Sequence, residues 1–244
     1  MQNRQNIQSK VLIVGLGVSG LWTARCLAGR GAKVTVSEKK PESELDAGIC
    51  RELRALGVTL EAGGHRRETF LNSEMIILSP GVPHDMDLVQ AAHKRGVPVS
   101  GELELAGRLT DTPIIAVTGT NGKSTVTAFL GEMLENAGFK VFVGGNIGIP
   151  LMAYVASQEK ADYAVVEVSS FQLDTVETFC PFISIVLNIS PDHLDRYADY
   201  EGYIRSKLQV FKNQGPAEYV ILNDDDETLS RVTPGSGGLF FVMD

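Results

Sequence analysis

Few cysteines, no surplus of basic charge and no long apolar run: each shortage closes off a class of protein. The chain has three cysteines in 244 residues, Cys26, Cys50 and Cys180. Scattered, odd in number and without the spacing of metal ligands, they read as free thiols in a reducing compartment, so the expected location is cytoplasmic. The formal net charge of −8 gives no global basic field, which argues against nucleic acid as a partner and requires any bound phosphate to be held locally. No apolar run approaches the ~20 residues that span a bilayer, and the polar start MQNRQNIQSK lacks the apolar core of a signal peptide, so no membrane insertion is expected.

What is present is a core-forming chain, 43% hydrophobic, in which short β-branched runs alternate with stretches of helical period. That alternation is the pattern of βα units around a mostly parallel sheet, hence an α/β fold. Strands are expected at 11–14, 33–37, 75–79, 114–118, 163–168, 183–188 and 219–222, with helices near 19–30, 44–56, 87–95, 101–108, 123–137, 149–157 and 200–212. Pro113 follows a polar stretch and precedes a fresh strand and a fresh glycine turn, which puts a domain boundary near residue 111 and divides the chain into 1–110 and 111–244.

The first half opens on VLIVGLGVSGL, with Gly15, Gly17 and Gly20 in G-x-G-x-x-G order around Leu16, Val18 and Ser19. Glycines there let the backbone turn tightly, approach a diphosphate and pack the helix on the sheet, while the helix N-terminus faces the anion. Glu38 lies roughly 20 residues further on, where a dinucleotide fold keeps its ribose-binding acid. The turn is compatible with NAD, with the diphosphate of another nucleotide, or with helix packing alone. A second turn at a strand's carboxyl end, LSPGVP, offers backbone access at Gly81.

The second half opens on IIAVTGTNGKSTVTAFL. Gly119, Thr120, Asn121, Gly122, Lys123, Ser124 and Thr125 form a phosphate-loop-like turn two residues shorter than G-x-x-x-x-G-K-[ST]. The chemistry survives the shortening: backbone N–H groups and the helix N-terminus can surround a triphosphate, Lys123 can reach its terminal phosphates, and Ser124 can place a hydroxyl on Mg²⁺. Glu167 ends an apolar strand, where an acid is costly to bury without a cation. Asp192, His193 and Asp195 follow another strand, Lys207 sits on the helix after it, and Asn146 lies in the glycine turn GGNIG. Beside a phosphate loop, this set points to a metal-assisted phosphoryl-transfer site.

GTNGKST, GGNIG, VEVSSFQL, PDHLDRY and YIRSKL together resemble the Mur ligases, in order and spacing, from Lys10 to the end of the chain. The resemblance implies a Rossmann-like N-terminal domain whose turn holds a uridine diphosphate rather than NAD, followed by a P-loop-type, mostly parallel α/β ATP-binding domain. It implies a monomeric, ATP-dependent amide-bond ligase of peptidoglycan assembly; SSFQL and DHLDRY point to the member that joins D-glutamate to UDP-N-acetylmuramoyl-L-alanine through an acyl phosphate. In that reading Lys123 polarises the γ-phosphate, Ser124 and Glu167 serve one Mg²⁺, and His193 serves a second. Lys207 becomes a carbamylated lysine, and Asn146, Ser169 and His193 meet the muramoyl-alanine end. Complete members carry a later histidine-asparagine segment near the adenine and a further domain that binds the amino acid; neither has a counterpart before Asp244, so an incomplete central domain is expected here. The alternatives are a non-catalytic nucleotide-binding fragment of such a ligase and, on Gly15–Gly20 and Glu38, an NAD-dependent oxidoreductase.

Overall fold

The computed structural model describes residues 9–192, 196–233 and 239–243. In chain order the first half contains β1 (Lys10–Val14), α1 (Val18–Gly29), β2 (Lys33–Glu38), α2 (Ala47–Ala55), β3 (Thr59–Ala62), α3 (Arg67–Leu71), β4 (Met75–Leu78), α4 (Asp87–His93), β5 (Val99–Gly101) and α5 (Glu102–Leu109). The second contains β6 (Ile114–Thr118), α6 (Lys123–Asn136), β7 (Val141–Gly145), α7 (Leu151–Ser157), β8 (Tyr163–Glu167), α8 (Ser170–Leu173), β9 (Ile183–Val186), α9 (Tyr200–Leu208), β10 (Tyr219–Asn223) and β11 (Leu239–Met243).

Two parallel sheets result, in the orders β3-β2-β1-β4-β5 and β11-β10-β9-β6-β8-β7. In each, the first strand of its half is internal and the chain fills one side of it before the other: outward through β2 and β3 in the first sheet, and by way of the edge strand β7 inward to β8 in the second. Open α/β sheets bind ligands at the carboxyl ends of strands where the order reverses. The two glycine turns follow β1 and β6, and so occupy the two reversal points.

Residues read as turn or left unassigned in the sequence include four strands. Thr59–Ala62 and Val99–Gly101 are short and lie at the edges of their sheet, Val141–Gly145 ends in the glycines of GGNIG, and Leu239–Met243 pairs with β10. The first two, TLEA and VSG, carry little of the alternating or continuous apolar signal that marks a central strand, whereas VFVGG and LFFVM hold apolar runs whose strand character is fixed by pairing with β8 and β10. The helix expected at 44–56 starts later, at Ala47, because the Asp46 carboxylate accepts from the Ile49 amide, 2.9 Å away, and caps it there.

The two sheets share a core. Ala24, Cys26 and Leu27 of α1, Leu103 and Ala106 of α5, and Leu151, Met152 and Val155 of α7 belong to one buried cluster, with α7 packed on both α1 and α5. Each large side chain buried there contributes roughly 1.5–3 kcal/mol. The helix that starts at the first glycine turn is thereby packed onto the helix that follows GGNIG.

Two acids on α5 tie this junction together in opposite ways. Glu104, fully buried, accepts the amides of Glu177, Thr178 and Phe179 at 2.9–3.1 Å, the Thr178 hydroxyl at 2.5 Å and Arg108 Nε at 2.6 Å. Burial alone would raise its pKa; the Thr178 hydroxyl and the three amides outweigh that and hold it below the usual carboxylate value. Glu102, 2% exposed, accepts only the Met152 amide, at 2.7 Å, and its second oxygen has no partner among the described residues. Burial pushes its carboxyl up to about 7, against the pull of that hydrogen bond.

The signs follow. Glu104 stabilises the fold above the ordinary carboxylate pKa and loses that contribution as pH falls through its depressed value; Glu104→Ala is expected to cost about 3 kcal/mol at neutral pH in urea unfolding. Glu102 favours the fold fully below 4.5 and loses that advantage as pH rises through about 7. Glu102→Gln keeps the acceptor for Met152, so its stability relative to the parent should rise from pH 5 to about 7 and then level off; a flat difference from pH 5 upward would show Glu102 to be ionised throughout.

Candidate active site

After β1 the chain turns through Gly15, which has φ 92°, and the carboxyl end of β4 closes over it: the Ser79 amide donates to Val14 O and the Ser79 hydroxyl to Gly15 O, 2.9 Å away. A Cβ on Gly20 would collide with Gly15 O, whereas one on Gly17 would meet nothing within 4 Å. The third glycine is thus required by packing and the second leaves the backbone open to a ligand, the division of labour a diphosphate turn needs. Val18, the first residue of α1, is exposed. Glu38 does not point its carboxylate into open space: it accepts the Leu16 amide at 2.7 Å and the Lys40 amide at 3.0 Å, bracing the turn from beneath. Gly81 has open space around its Cα.

Next to that turn, a cleft of about 250 Å³ separates Ser79, Pro80 and His84 of the first half from Phe171, Asp174 and Arg196 of the second. Arg196 lies over the Phe171 ring at 4.6 Å. Phe171 belongs to α8, whose start carries a capping box that the run Ser169-Ser170-Phe171-Gln172 encodes: the Ser169 hydroxyl and amide both reach Gln172 Oε1 at 3.0 Å. The Ser169 side chain is thus engaged in its own helix cap, beside the cleft.

The second turn follows a strand buried along its whole length. Gly119 (φ 151°) and Gly122 (φ 84°) take conformations that favour glycine, and α6 then starts with no side-chain cap, leaving its first amides turned outward as an anion site. Beneath them lies Glu167, 2% exposed. The Ser124 hydroxyl donates to one of its oxygens at 2.7 Å and the Asn146 amide group to the other at 3.1 Å, while the Asn146 backbone amide donates to Glu167 O. Loop, α6, β7 and β8 therefore meet at one carboxyl group.

The cationic side of the site is as compact. Lys123 Nζ donates to Gly119 O at 3.0 Å and Thr120 O at 2.9 Å. Lys207 Nζ donates to the same Gly119 O at 2.7 Å, lies over the Tyr203 ring at 4.6 Å and is buried. Burial, then repulsion from Lys123, lower its pKa to about 7 against the attraction of Asp192. The Thr120 hydroxyl turns inward to Ser190 and Tyr203, whereas Asn121 and Thr125 are exposed at the loop and the first turn of α6. His193 and Asp195 lie outside the described residues.

Thus Lys123 and Ser124, Asn146, Glu167 and Lys207, from four separate stretches of the sequence, converge on one loop. Among the described residues there is no group of three or more His, Cys, Asp or Glu side chains able to hold a metal by themselves. Two oxygen donors do lie together, the Ser124 hydroxyl and the Glu167 carboxyl group, of the kind that Mg²⁺ accepts beside phosphate and water.

Comparison with known proteins agrees with this geometry. Residues 9–101 match the family model of the Mur ligase MurD-like N-terminal domain and residues 117–236 that of the Mur ligase middle domain. UDP-N-acetylmuramoylalanine–D-glutamate ligase of Desulfosudis oleivorans is 50% identical over 226 residues, 93% of this chain and 49% of that protein. The enzyme of the same name from Pelobacter propionicus is 44% identical over 95% of this chain and 52% of its own length. The chain spans about half the length of the curated relatives it matches.

Two solved structures share the fold at low identity. UDP-N-acetylmuramate:L-alanyl-gamma-D-glutamyl-meso-diaminopimelate ligase from Neisseria meningitides superposes with a TM-score of 0.62 at 18% identity, covering 96% of this chain and 78% of that one. UDP-N-acetylmuramate–alanine ligase from Thermotoga maritima gives 0.55 at 22% identity, covering 97% and 53%. Two Mur ligase domain models, one matching the first sheet's residues and one most of the second's, together with relatives of about half-identical sequence, place the chain in the Mur ligase family.

Proposed function

We propose that this chain carries the UDP-substrate-binding and ATP-binding parts of a ligase that joins D-glutamate to UDP-N-acetylmuramoyl-L-alanine. The observation that carries the reading is the meeting of Ser124, Asn146 and Glu167 at the uncapped start of α6, with Lys123 and Lys207 both bonded to Gly119 O of the same loop. The names of the relatives supply the two substrates; the site supplies the chemistry. The assignment would place the enzyme in the cytoplasm as a monomer, and no described helix is long and apolar enough to cross a membrane.

In this reading residues 1–110 hold the UDP group, with the segment Leu16–Gly20 against the diphosphate and its amides from Gly17 onward offered to it, the Leu16 amide being held by Glu38; Gly81 and Asn146 lie along the path to the muramoyl-alanine end, where Ser169 and His193 are also assigned. Residues 111–244 hold ATP. The amides at the start of α6 hold its phosphates, and Lys123 leaves the carbonyls of Gly119 and Thr120 to follow the γ-phosphate as it passes to the alanyl carboxylate. The amine of D-glutamate then displaces phosphate from the resulting acyl phosphate. Binding and charge placement do most of the work, as expected for phosphoryl transfer.

Ser124 and Glu167, with His193, are the residues we assign to Mg²⁺, which when bound neutralises phosphate charge. Lys207 is assigned as the lysine that takes up CO₂ as a carbamate. Its burial, with one carbonyl and one aromatic face around it, favours the neutral amine that such a reaction needs, and the product is an oxygen donor that suits a hard cation. An NAD-dependent oxidoreductase leaves the whole second site without a purpose.

Two measurements test the reading. In a protein of the full length of the relatives, ADP and phosphate should form only when UDP-N-acetylmuramoyl-L-alanine and D-glutamate are both present; turnover with another amino acid instead would move the assignment to a sister ligase. In the same protein Lys207→Ala should lower turnover by roughly a hundredfold or more, with partial recovery on adding small carboxylates, and undiminished activity would remove the carbamate assignment.

A further inference from the structure

The phosphate loop does not stand alone. Asn188, just past β9, grips it with three hydrogen bonds: its side-chain Oδ1 accepts the Asn121 amide at 2.8 Å, its Nδ2 donates to Asn121 O at 3.0 Å, and its own carbonyl accepts the Thr120 amide at 2.9 Å. The two side-chain bonds close a ring with a single residue of the loop, as a neighbouring strand would.

The segment that bears Asn188 is itself fixed from several sides. The Leu187 amide donates to Thr118 O, and the Leu187 carbonyl accepts from Asn223 Nδ2 at 3.0 Å. The Ile189 amide donates to Asp226 Oδ2 at 2.9 Å, and the Ile189 carbonyl accepts the Tyr200 hydroxyl at 2.7 Å. A half-buried side chain mounted on so constrained a segment can hold a loop in one shape.

Satisfying the amides of Thr120 and Asn121 on this side divides the loop in two. Gly122, in the left-handed region, then reverses the chain, and the amides from Gly122 to Thr125 have no protein acceptor among the described residues. These four are the free donors that converge at the start of α6. We propose that Asn188 is a positioning residue for nucleotide phosphate, one that gives the shortened loop its cradle by anchoring Thr120 and Asn121 away from the ligand; this rests on the reading of the loop as a triphosphate site. A neutral amide suits the post because it donates and accepts at once and adds no negative charge beside the phosphates.

The test is calorimetric titration of Mg-ADP, inorganic tripolyphosphate and UDP into the 244-residue chain. Asn188→Ala is expected to weaken ADP and tripolyphosphate roughly tenfold or more while leaving UDP affinity within about twofold, a selectivity that general loosening of the fold does not produce. Asn188→Asp, which keeps one acceptor but loses the donor and adds a charge, should be weaker still. ADP affinity unchanged in Asn188→Ala overturns the proposal alone; a parent chain that binds neither ADP nor tripolyphosphate overturns the triphosphate reading and the proposal with it. If Asn188→Ala does not fold, hydrogen exchange on the parent decides. The Thr120 and Asn121 amides should exchange slowly with or without nucleotide, and the Gly122–Thr125 amides slowly only with it; equal fast exchange of both groups in the free chain overturns the proposal.

Discussion

Glu167 lies 2% exposed at the end of β8, held by the Ser124 hydroxyl and the Asn146 amide. An ionisable group in that position costs several kcal/mol in lost hydration unless fixed donors replace the water. Meeting that need brings α6, the end of β7 and the end of β8 to one point, because each donor comes from a different element. The bond from Ser124 ties the first turn of α6 to the end of β8 and so favours one direction for its outward amides.

The cations obey the same economy of space. Lys123 and Lys207 both donate to Gly119 O, and two ammonium groups on one carbonyl repel each other strongly in a buried site. The repulsion adds to the burial that lowers the pKa of Lys207 to about 7. Under the proposed reading, a triphosphate at the start of α6 would relieve the crowding by drawing Lys123 away.

The two halves are joined through packing. The first glycine turn leads into α1, GGNIG leads into α7, and α1 and α7 share a core with α5. On α5, Glu104 fastens the segment Glu177–Phe179 of the second half, and Glu102 caps the start of α7 from two residues away. Close packing transmits small displacements because its interior has few voids to absorb them. The distance between the two candidate phosphate sites is therefore set by helix contacts, and loop 78–85 with α8 lines the cleft beside them.

Local chemistry decided much of this in advance. Both glycine turns, the helices after them and the central strands were legible because glycine spacing, buried apolar runs and the Gly-Lys-Ser start are properties of adjacent residues. Edge strands such as Thr59–Ala62 and Val141–Gly145 were not, since pairing with a neighbour defines them more than their own pattern does. Glu38 was placed correctly along the chain but not in its task, which depends on the turn folding over it. The convergence of Ser124, Asn146, Glu167 and Lys207, the grip of Asn188 on Asn121 and the opposite pKa displacements of Glu102 and Glu104 arise from residues tens of positions apart. By itself the sequence determined where the two glycine turns and the helices after them lie; only the tertiary structure decided which side chains share a buried space, because burial and hydrogen-bond partners exist only once distant segments have packed.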